Sequence, residues 1–310
     1  MFAEFFGDAQ HVSQSSDFTS EPTRMLPPIQ GYENEPLVSL EEAIQPLISI
    51  VPEVERMAWT VKQTHFHGEH GLTDAEAASI LLYTLEWTPR DKSFYIILNN
   101  TLQAADRQLL KPWFLYLRLI MTSLAKLPSD SNRLTVYRGV KLDLSAQYPK
   151  GSIVTWWGFS SCTASVGILG NEQFVGQNGT RTLFTIDCSS AKNIKQYSVF
   201  PEEKEVLLPA ARQFQVIDSL NPGNGLHIIQ LREIQPKFPL INPVHQPFKP
   251  PKCNDSNLQK YIDAMYLDQT LTILDIGYNK IGAMGAQDLV NALQMNKVTT
   301  TLFLVPLHFT

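Results

Sequence analysis

Three short polar elements of the sequence carry residue types that could do chemistry together. In chain order they are Tyr137-Arg138-Gly139, Phe159-Ser160-Ser161-Cys162-Thr163 and Pro201-Glu202-Glu203-Lys204-Glu205. The third element stands before an apolar strand, where the two-residue spacing of Glu203 and Glu205 would put both carboxylates on one side of an extended backbone. Glu202 would point the other way and is left out of the site. Paired carboxylates on one face are the arrangement that glycosyl chemistry uses.

Each element alone also has an ordinary structural explanation. An arginine on a strand is more often the partner of a surface ion pair. A pair of serines is usually a turn or a cap, and an acidic run is usually a solvated face. Only the set of three, held by one fold, would indicate an active site.

The elements that must position these residues change character along the chain. Residues 36–127 have a helical pattern, with Thr73 or Asp74 as the cap of one helix and further helices predicted over residues 94–103 and 113–127. From Leu134 onward, short β-branched segments predict strands. These segments are 134–140, 153–159, 182–186, 206–208, 213–218 and 227–231. Helices first and strands afterwards predict an α+β domain with helices packed beside antiparallel sheets.

The order of these motifs resembles a known family. Arg138, then the element around Ser161, then Glu203 and Glu205 before an apolar strand, is similar to the Arg–Ser–Glu class of ADP-ribosyltransferases, which includes vertebrate ecto-enzymes and bacterial toxins. The predicted helices resemble the helical subdomain of the arginine-specific members, and the match covers about residues 36–234. The resemblance implies a helical N-terminal subdomain and two packed, mainly antiparallel β-sheets around an NAD cleft.

The resemblance also implies how NAD⁺ is bound. Arg138 would clamp the pyrophosphate, since a guanidinium offers planar paired donors to phosphate oxygens. Gly139 would let the backbone approach the nicotinamide amide closely, and Phe174 is the candidate for the aromatic that stacks on nicotinamide. Ser161 would hydrogen-bond the nicotinamide ribose and hold Glu205, which would bind the 2′-hydroxyl and stabilise the positive charge that develops at the anomeric carbon.

The acceptor side of the site is implied in the same way. A glutamate at the position of Glu203 implies an arginine acceptor, because a carboxylate pairs with guanidinium and can help remove its proton as the nitrogen attacks. The segment 195–202, with Tyr197 and Phe200, would present that acceptor. The reaction implied is transfer of ADP-ribose from NAD⁺ to protein arginine, with release of nicotinamide.

NAD⁺ is expected as a co-substrate, and no metal is expected. No Walker loop or dinucleotide-fold glycine fingerprint occurs, which favours NAD⁺ as a substrate in a cleft over NAD⁺ as a redox cofactor. The segment His65-Phe66-His67-Gly68-Glu69-His70 lacks the spacing typical of zinc ligands. Two alternatives stay open: an NAD⁺ glycohydrolase, in which water replaces arginine, and a non-catalytic interaction protein whose transferase fold is a silent scaffold.

A leucine-rich-repeat fragment is predicted at the C-terminus. Leu274 and Ile276 recur as Leu302 and Leu304, a period of about 28 residues, within the range known for such repeats. About three repeats are normally needed for a stable stack, so this region is marginal alone or belongs to a longer array, and it is a candidate surface for a protein partner. The predicted organisation is therefore a disordered tail over 1–35, a transferase domain over 36–238, a proline-rich linker over 239–256 and partial repeats over 257–310.

Composition and charge argue against two classes of protein, nucleic-acid-binding and membrane-spanning. The chain has 310 residues, a net charge of −5 and no basic tract interleaved with aromatics, so nucleic acid is not expected as a partner. No apolar run approaches the roughly 20 residues that a membrane span needs. Nothing at the N-terminus reads as a signal peptide, which favours a cytoplasmic location, or a secreted one if the true start lies upstream.

Overall fold

The chain divides into two units, Met1–Val244 and His245–Thr310. The computed structural model describes residues 21–22, 24–66, 69–128, 133–170, 175–199, 204–244, 273–275, 287 and 301–303. The three motifs all belong to the first unit, which contains helices followed by a large sheet.

Helices form the N-terminal half of the first unit. Within the described residues they are α1 (Leu40–Ile44), α2 (Val54–Lys62), α3 (Asp74–Thr84), α4 (Phe94–Gln103) and α5 (Phe114–Lys126). The predicted cap of α3 is confirmed: Thr73 Oγ1 accepts the backbone N–H of Glu76, and the Glu76 carboxylate accepts that of Thr73. Such reciprocal capping satisfies donors that the first helical turn leaves unpaired. The buried Glu76 carboxylate also forms an ion pair at 2.6 Å with the half-buried Lys126, which joins α3 to α5.

The strands form one mixed sheet. They are β1 (Leu134–Val140), β2 (Ile153–Trp156), β3 (Ser160–Thr163), β4 (Arg181–Cys188), β5 (Lys192–Asn193), β6 (Glu205–Leu208), β7 (Arg212–Gly223) and β8 (Leu226–Ile234). Their order is β2-β7-β8-β4-β1-β3-β6-β5, antiparallel throughout except for the parallel pair β4 and β8. The predicted α+β domain with mainly antiparallel pairing is therefore confirmed.

The two separate sheets that were predicted are instead one strongly curved sheet in the described residues. Strands β2 and β3 stand first and sixth in the order, yet only residues 157–159 connect them. Five strand spacings in a flat sheet would cover about 24 Å, whereas this connection can reach about 14 Å at most. The sheet must therefore bend back, and its two halves enclose one apolar cluster that contains Phe184, Phe214 and Trp156.

The curved sheet meets the helices at the β2–β3 connection. Trp157 and Phe159, on either side of Gly158, belong to the same buried cluster as the helices, together with Ile194 and Leu207. The helical half therefore packs against the part of the sheet from which β3 begins.

The boundaries of the first unit differ from those predicted. Leu26, Ile29 and Tyr32, placed in the disordered tail by the sequence, are buried against the helices. Ile29 forms a parallel bridge with Ile241, and both Leu240 and Ile241, predicted as linker, are also buried. These apolar residues are few and interrupted by prolines and polar residues, so they show no periodicity, but pairing across the chain gives them a common core.

The described residues of the second unit include two strands. Strands β9 (Ile273–Asp275) and β10 (Thr301–Phe303) pair in parallel, with Leu274 opposite Leu302. These are the two leucines whose recurrence led to the predicted repeat. In the described part of the chain, no helix is long and apolar enough to cross a membrane.

Candidate active site

Three neighbouring strands bring the predicted motifs together. Strand β3 lies between β1 and β6, and its Thr163 is opposite both Tyr137 of β1 and Glu205 of β6. Arg138, Ser161 and Glu205 are each less than a tenth exposed. A buried guanidinium and a buried carboxylate each need partners, because burying an unpaired charge is costly.

Hydrogen bonds join these three residues into one network. Arg138 donates from its guanidinium to the Ser161 carbonyl oxygen at 3.0 Å. Ser161 Oγ donates to Glu205 Oε1 at 2.5 Å, and Ser198 Oγ donates to Glu205 Oε2 at 2.6 Å. Hydroxyl bonds to a carboxylate are short and strong because the acceptor is charged. The Glu205 carboxylate therefore holds a hydroxyl on each of its oxygens.

Ser198 was not predicted as a site residue. It lies within the segment 195–202 that the resemblance assigned to acceptor presentation, but a single serine in a loop gives no signal in the sequence. Its contact with Glu205 joins the segment that follows β5 to the first residue of β6.

A second unpredicted contact fixes the start of β3 from the helical side. The Asn99 side chain of α4 accepts the backbone N–H of Phe159 at 2.9 Å and donates to the Phe159 carbonyl oxygen at 3.2 Å. Gly158 leaves room for this contact, since a Cβ there would lie 2.9 Å from Asn99 Oδ1. Asn99 thus holds both backbone groups of the residue two positions before Ser161.

Gly139 is packed tightly in the structure. A Cβ at this position would lie 1.8 Å from Val175 Cγ2, so no larger residue fits without displacing Val175. Val175 belongs to a small apolar cluster with Leu169. The glycine is therefore needed for this packing, in addition to any close approach of a ligand.

Cys162, between Ser161 and Thr163, does not add a reactive thiol to the site. Burial raises the pKa of its thiol to about 12, against the opposing effect of the nearby Arg138 charge. The thiol stays protonated near neutral pH, and only a thiolate is a good nucleophile.

Two predicted site residues, Glu203 and Phe174, lie outside the described residues. The backbone between Glu203 and Glu205 is nevertheless informative, because β6 begins at Glu205 and Lys204 has a φ of 49°. A residue with left-handed φ breaks the alternation of an extended strand. Extended alternation therefore does not describe Lys204, and the placement of Glu203 beside Glu205 stays a prediction.

The segment after β5 (Lys192–Asn193) is tied to the helices. The Tyr197 hydroxyl lies 3.1 Å from His70 Nδ1, and the Val199 backbone N–H donates to Thr84 Oγ1 at 3.3 Å.

Within the described residues, no group of three or more His, Cys, Asp or Glu side chains is placed to hold a metal ion.

Comparison of the sequence with known proteins identifies a family. The model of the NAD:arginine ADP-ribosyltransferase family matches residues 14–238. Over 184 residues the chain is 32% identical to mouse GPI-linked NAD(P)(+)–arginine ADP-ribosyltransferase 1, covering 58% of this chain and 54% of that protein. It is 30% identical over 117 residues to the putative NAD(+)–arginine ADP-ribosyltransferase Mav of Mycobacterium avium, covering 37% of this chain and 14% of that one.

A solved structure is also similar. The crystal structure of the ADP-ribosyltransferase HopU1 of Pseudomonas syringae aligns with a TM-score of 0.46 and 20% identity, over 58% of this chain and 87% of that one. The chain spans about half the length of the mouse relative. Because the family model matches most of the chain, including all three motifs, the chain belongs to the NAD:arginine ADP-ribosyltransferase family.

Proposed function

We propose that this chain transfers ADP-ribose from NAD⁺ to arginine side chains of proteins and releases nicotinamide. The observation that carries the proposal is the buried network in which Arg138, Ser161 and Glu205 are joined by hydrogen bonds. A scaffold without activity has no need to hold a carboxylate between two hydroxyls in the interior of a sheet, since such burial costs stability.

Arg138, Gly139 and Phe174 bind NAD⁺ in this proposal. Arg138 pairs with the pyrophosphate, because its planar guanidinium matches phosphate geometry. The backbone at Gly139 contacts the nicotinamide amide, and Phe174 stacks on the nicotinamide ring. Val175, the residue after Phe174 in the sequence, packs against Gly139.

Glu205 acts on the bond that breaks. Its carboxylate accepts the 2′-hydroxyl of the nicotinamide ribose and stabilises the positive charge that develops as the bond between the anomeric carbon and nicotinamide lengthens. Nicotinamide leaves with the bonding electron pair. Ser161 holds the carboxylate in place through the 2.5 Å hydrogen bond to Oε1.

Glu203 acts on the acceptor. It pairs with the arginine guanidinium and takes a proton as the guanidinium nitrogen forms its bond to the anomeric carbon. The acceptor is a protein arginine, presented on the segment 195–202, whose Tyr197 lies against His70.

The second unit is proposed to be part of a leucine-rich-repeat array that binds a protein partner. Support comes from the parallel pairing of Leu274 with Leu302, which has the spacing of the predicted repeat. In this organisation the partial repeats over 257–310 follow the transferase unit along the chain.

Nicotinamide release from NAD⁺, measured with and without agmatine as a soluble guanidine, tests the proposal. Wild-type release that rises with agmatine and falls at least about 100-fold in Glu205→Gln is expected, since one preorganised charge is worth roughly 10²–10³ in rate. Glu233→Gln is the matched control: this buried carboxylate of the same sheet accepts the backbone N–H groups of Ser189 and Ser190.

The other outcomes separate the alternatives. Release that ignores agmatine would indicate a glycohydrolase, and no release from folded wild-type protein would refute the enzymatic proposal. Glu203→Gln should abolish transfer to agmatine while NAD⁺ cleavage persists. Undiminished transfer by this variant would show that Glu203 does not engage the acceptor.

A further inference from the structure

The catalytic carboxylate is held by a loop as well as by a strand. Ser161 of β3 donates to Glu205 Oε1, and Ser198, from the loop that follows β5, donates to Glu205 Oε2 at 2.6 Å. Ser198 is itself buried. The last torsion of a glutamate side chain is broad, and a hydroxyl bond to each carboxylate oxygen restricts that torsion.

The loop is anchored on both sides of Ser198. Before it, Tyr197 is buried and its hydroxyl lies 3.1 Å from His70 Nδ1. After it, the Val199 backbone N–H donates to Thr84 Oγ1 at the end of α3. These anchors set the position of the serine hydroxyl from the helical half of the unit.

We propose that Ser198 is a positioning residue for the transfer reaction, acting through Glu205. This inference rests on the proposed function. Ser198 fixes the plane of the Glu205 carboxylate so that the oxygen facing the ribose is already aligned when the bond to nicotinamide breaks. Preorganisation of this kind acts on the transition state, because the dipoles and charges need no reorientation at the moment of reaction.

The same contact links the two halves of the reaction. Ser198 belongs to the segment 195–202 that is proposed to present the acceptor, and its hydroxyl ends on the carboxylate that promotes NAD⁺ cleavage. A displacement of Ser198 therefore changes the alignment of Glu205. Loss of the Ser198 hydroxyl should slow bond breaking, whereas NAD⁺ affinity, which depends on Arg138 and Gly139, should change little.

The test measures kcat and KM for NAD⁺ in nicotinamide release, with agmatine present, together with the melting temperature. Ser198→Ala is expected to lower kcat at least about tenfold and to leave KM within about twofold. This loss in kcat is smaller than the roughly 10²–10³-fold loss that follows removal of a donor that touches the reacting atoms. Ser198→Thr keeps a hydroxyl and should restore most of kcat. Ser123→Ala is the matched control, since it removes a buried serine hydroxyl from α5 that donates to the Leu119 carbonyl.

Several outcomes would overturn the inference. They are an unchanged kcat in Ser198→Ala, a rise in KM at constant kcat, or a threonine variant as slow as the alanine variant. If Ser198→Ala does not fold, Ser198→Cys replaces it, because a thiol is a weak donor of similar size and kcat should then fall below that of Ser198→Thr. An inactive wild type would refute the proposed function, whereas an active wild type beside an equally active Ser198→Ala would refute this inference alone.

Discussion

Replacing Asn99 by alanine probes how the helical half of the unit positions the catalytic strand. The Asn99 amide accepts the Phe159 N–H at 2.9 Å and donates to the Phe159 carbonyl at 3.2 Å. Phe159 is only 3% exposed, so water cannot easily replace either bond. The substitution should therefore loosen the backbone immediately before Ser161.

The magnitude follows from the two backbone groups left behind. An unpaired buried N–H costs about 1–3 kcal/mol. The carbonyl suffers less, because the Tyr83 hydroxyl also lies 3.5 Å from it. We expect Asn99→Ala to lower the free energy of unfolding by about 2–3 kcal/mol. Since small displacements of a positioned group can cost up to about 100-fold in rate, nicotinamide release should fall at least about tenfold in protein that is still folded.

Urea unfolding followed by fluorescence gives the stability, and nicotinamide release at a temperature well below the transition gives the rate. Asn100→Ala is the matched control, because Asn100 is the next residue of α4 and is exposed. Surface substitutions usually stay within about 0.5 kcal/mol. An Asn99→Ala protein within that range of the control, and equally active, would refute the role of this contact.

Two further substitutions test single groups of the first unit. Burial raises the pKa of Glu21 from 4.5 to about 7, against the lowering effect of its bonds to the Trp157 N–H and the Gln103 amide. A carboxyl with a raised folded-state pKa destabilises the fold as pH climbs from 4.5 towards 7. In urea titrations, Glu21→Gln should therefore be more stable than wild type at pH 8 but not at pH 4. An equal gain in stability at both pH values would contradict this. Gly139→Ala would place Cβ 1.8 Å from Val175 Cγ2, and overpacking of this kind costs about 1–3 kcal/mol. Adding Val175→Ala should restore part of the loss in the same titrations, and no restoration would rule out the steric explanation.

Regular elements with a strong local pattern could be predicted from the sequence. Helix α4 and strand β1 have the bounds that periodicity and β-branched composition indicated, and the cap of α3 is Thr73, one of the two residues that the sequence indicated. Strand β3 (Ser160–Thr163) is different, because all of its residues are buried although most are polar. Its burial comes from a central position in the sheet, which no local pattern reports.

The curvature of the sheet could not be predicted from the sequence patterns of single strands either. Each strand segment alternates in the same way whether it belongs to one bent sheet or to two packed sheets, because alternation reports only which face is buried. The strand order decides the matter, since it places β2 and β3 five positions apart with a three-residue connection, 157–159.

The chemistry of the site was predictable where residue type is itself informative. The resemblance assigned Arg138, Ser161 and Glu205 to one site, and they stand on adjacent strands. Their support was not predictable, because Ser198 and Asn99 are ordinary polar residues whose roles arise from long-range contacts. Glu203 and Phe174 remain predictions that the Glu203→Gln experiment and NAD⁺ binding can test.

The hydrogen bonds that hold the Glu205 carboxylate depend on contacts with the helices. Ser161 lies two residues after Phe159, which Asn99 of α4 holds, and Ser198 is flanked by Val199, which Thr84 of α3 holds. Both hydroxyls on Glu205 are thus positioned from the helices, although the carboxylate itself stands on a strand. The catalytic geometry therefore depends on how firmly the helices pack against the β2–β3 connection, so substitutions that loosen this packing should reduce kcat before they unfold the protein.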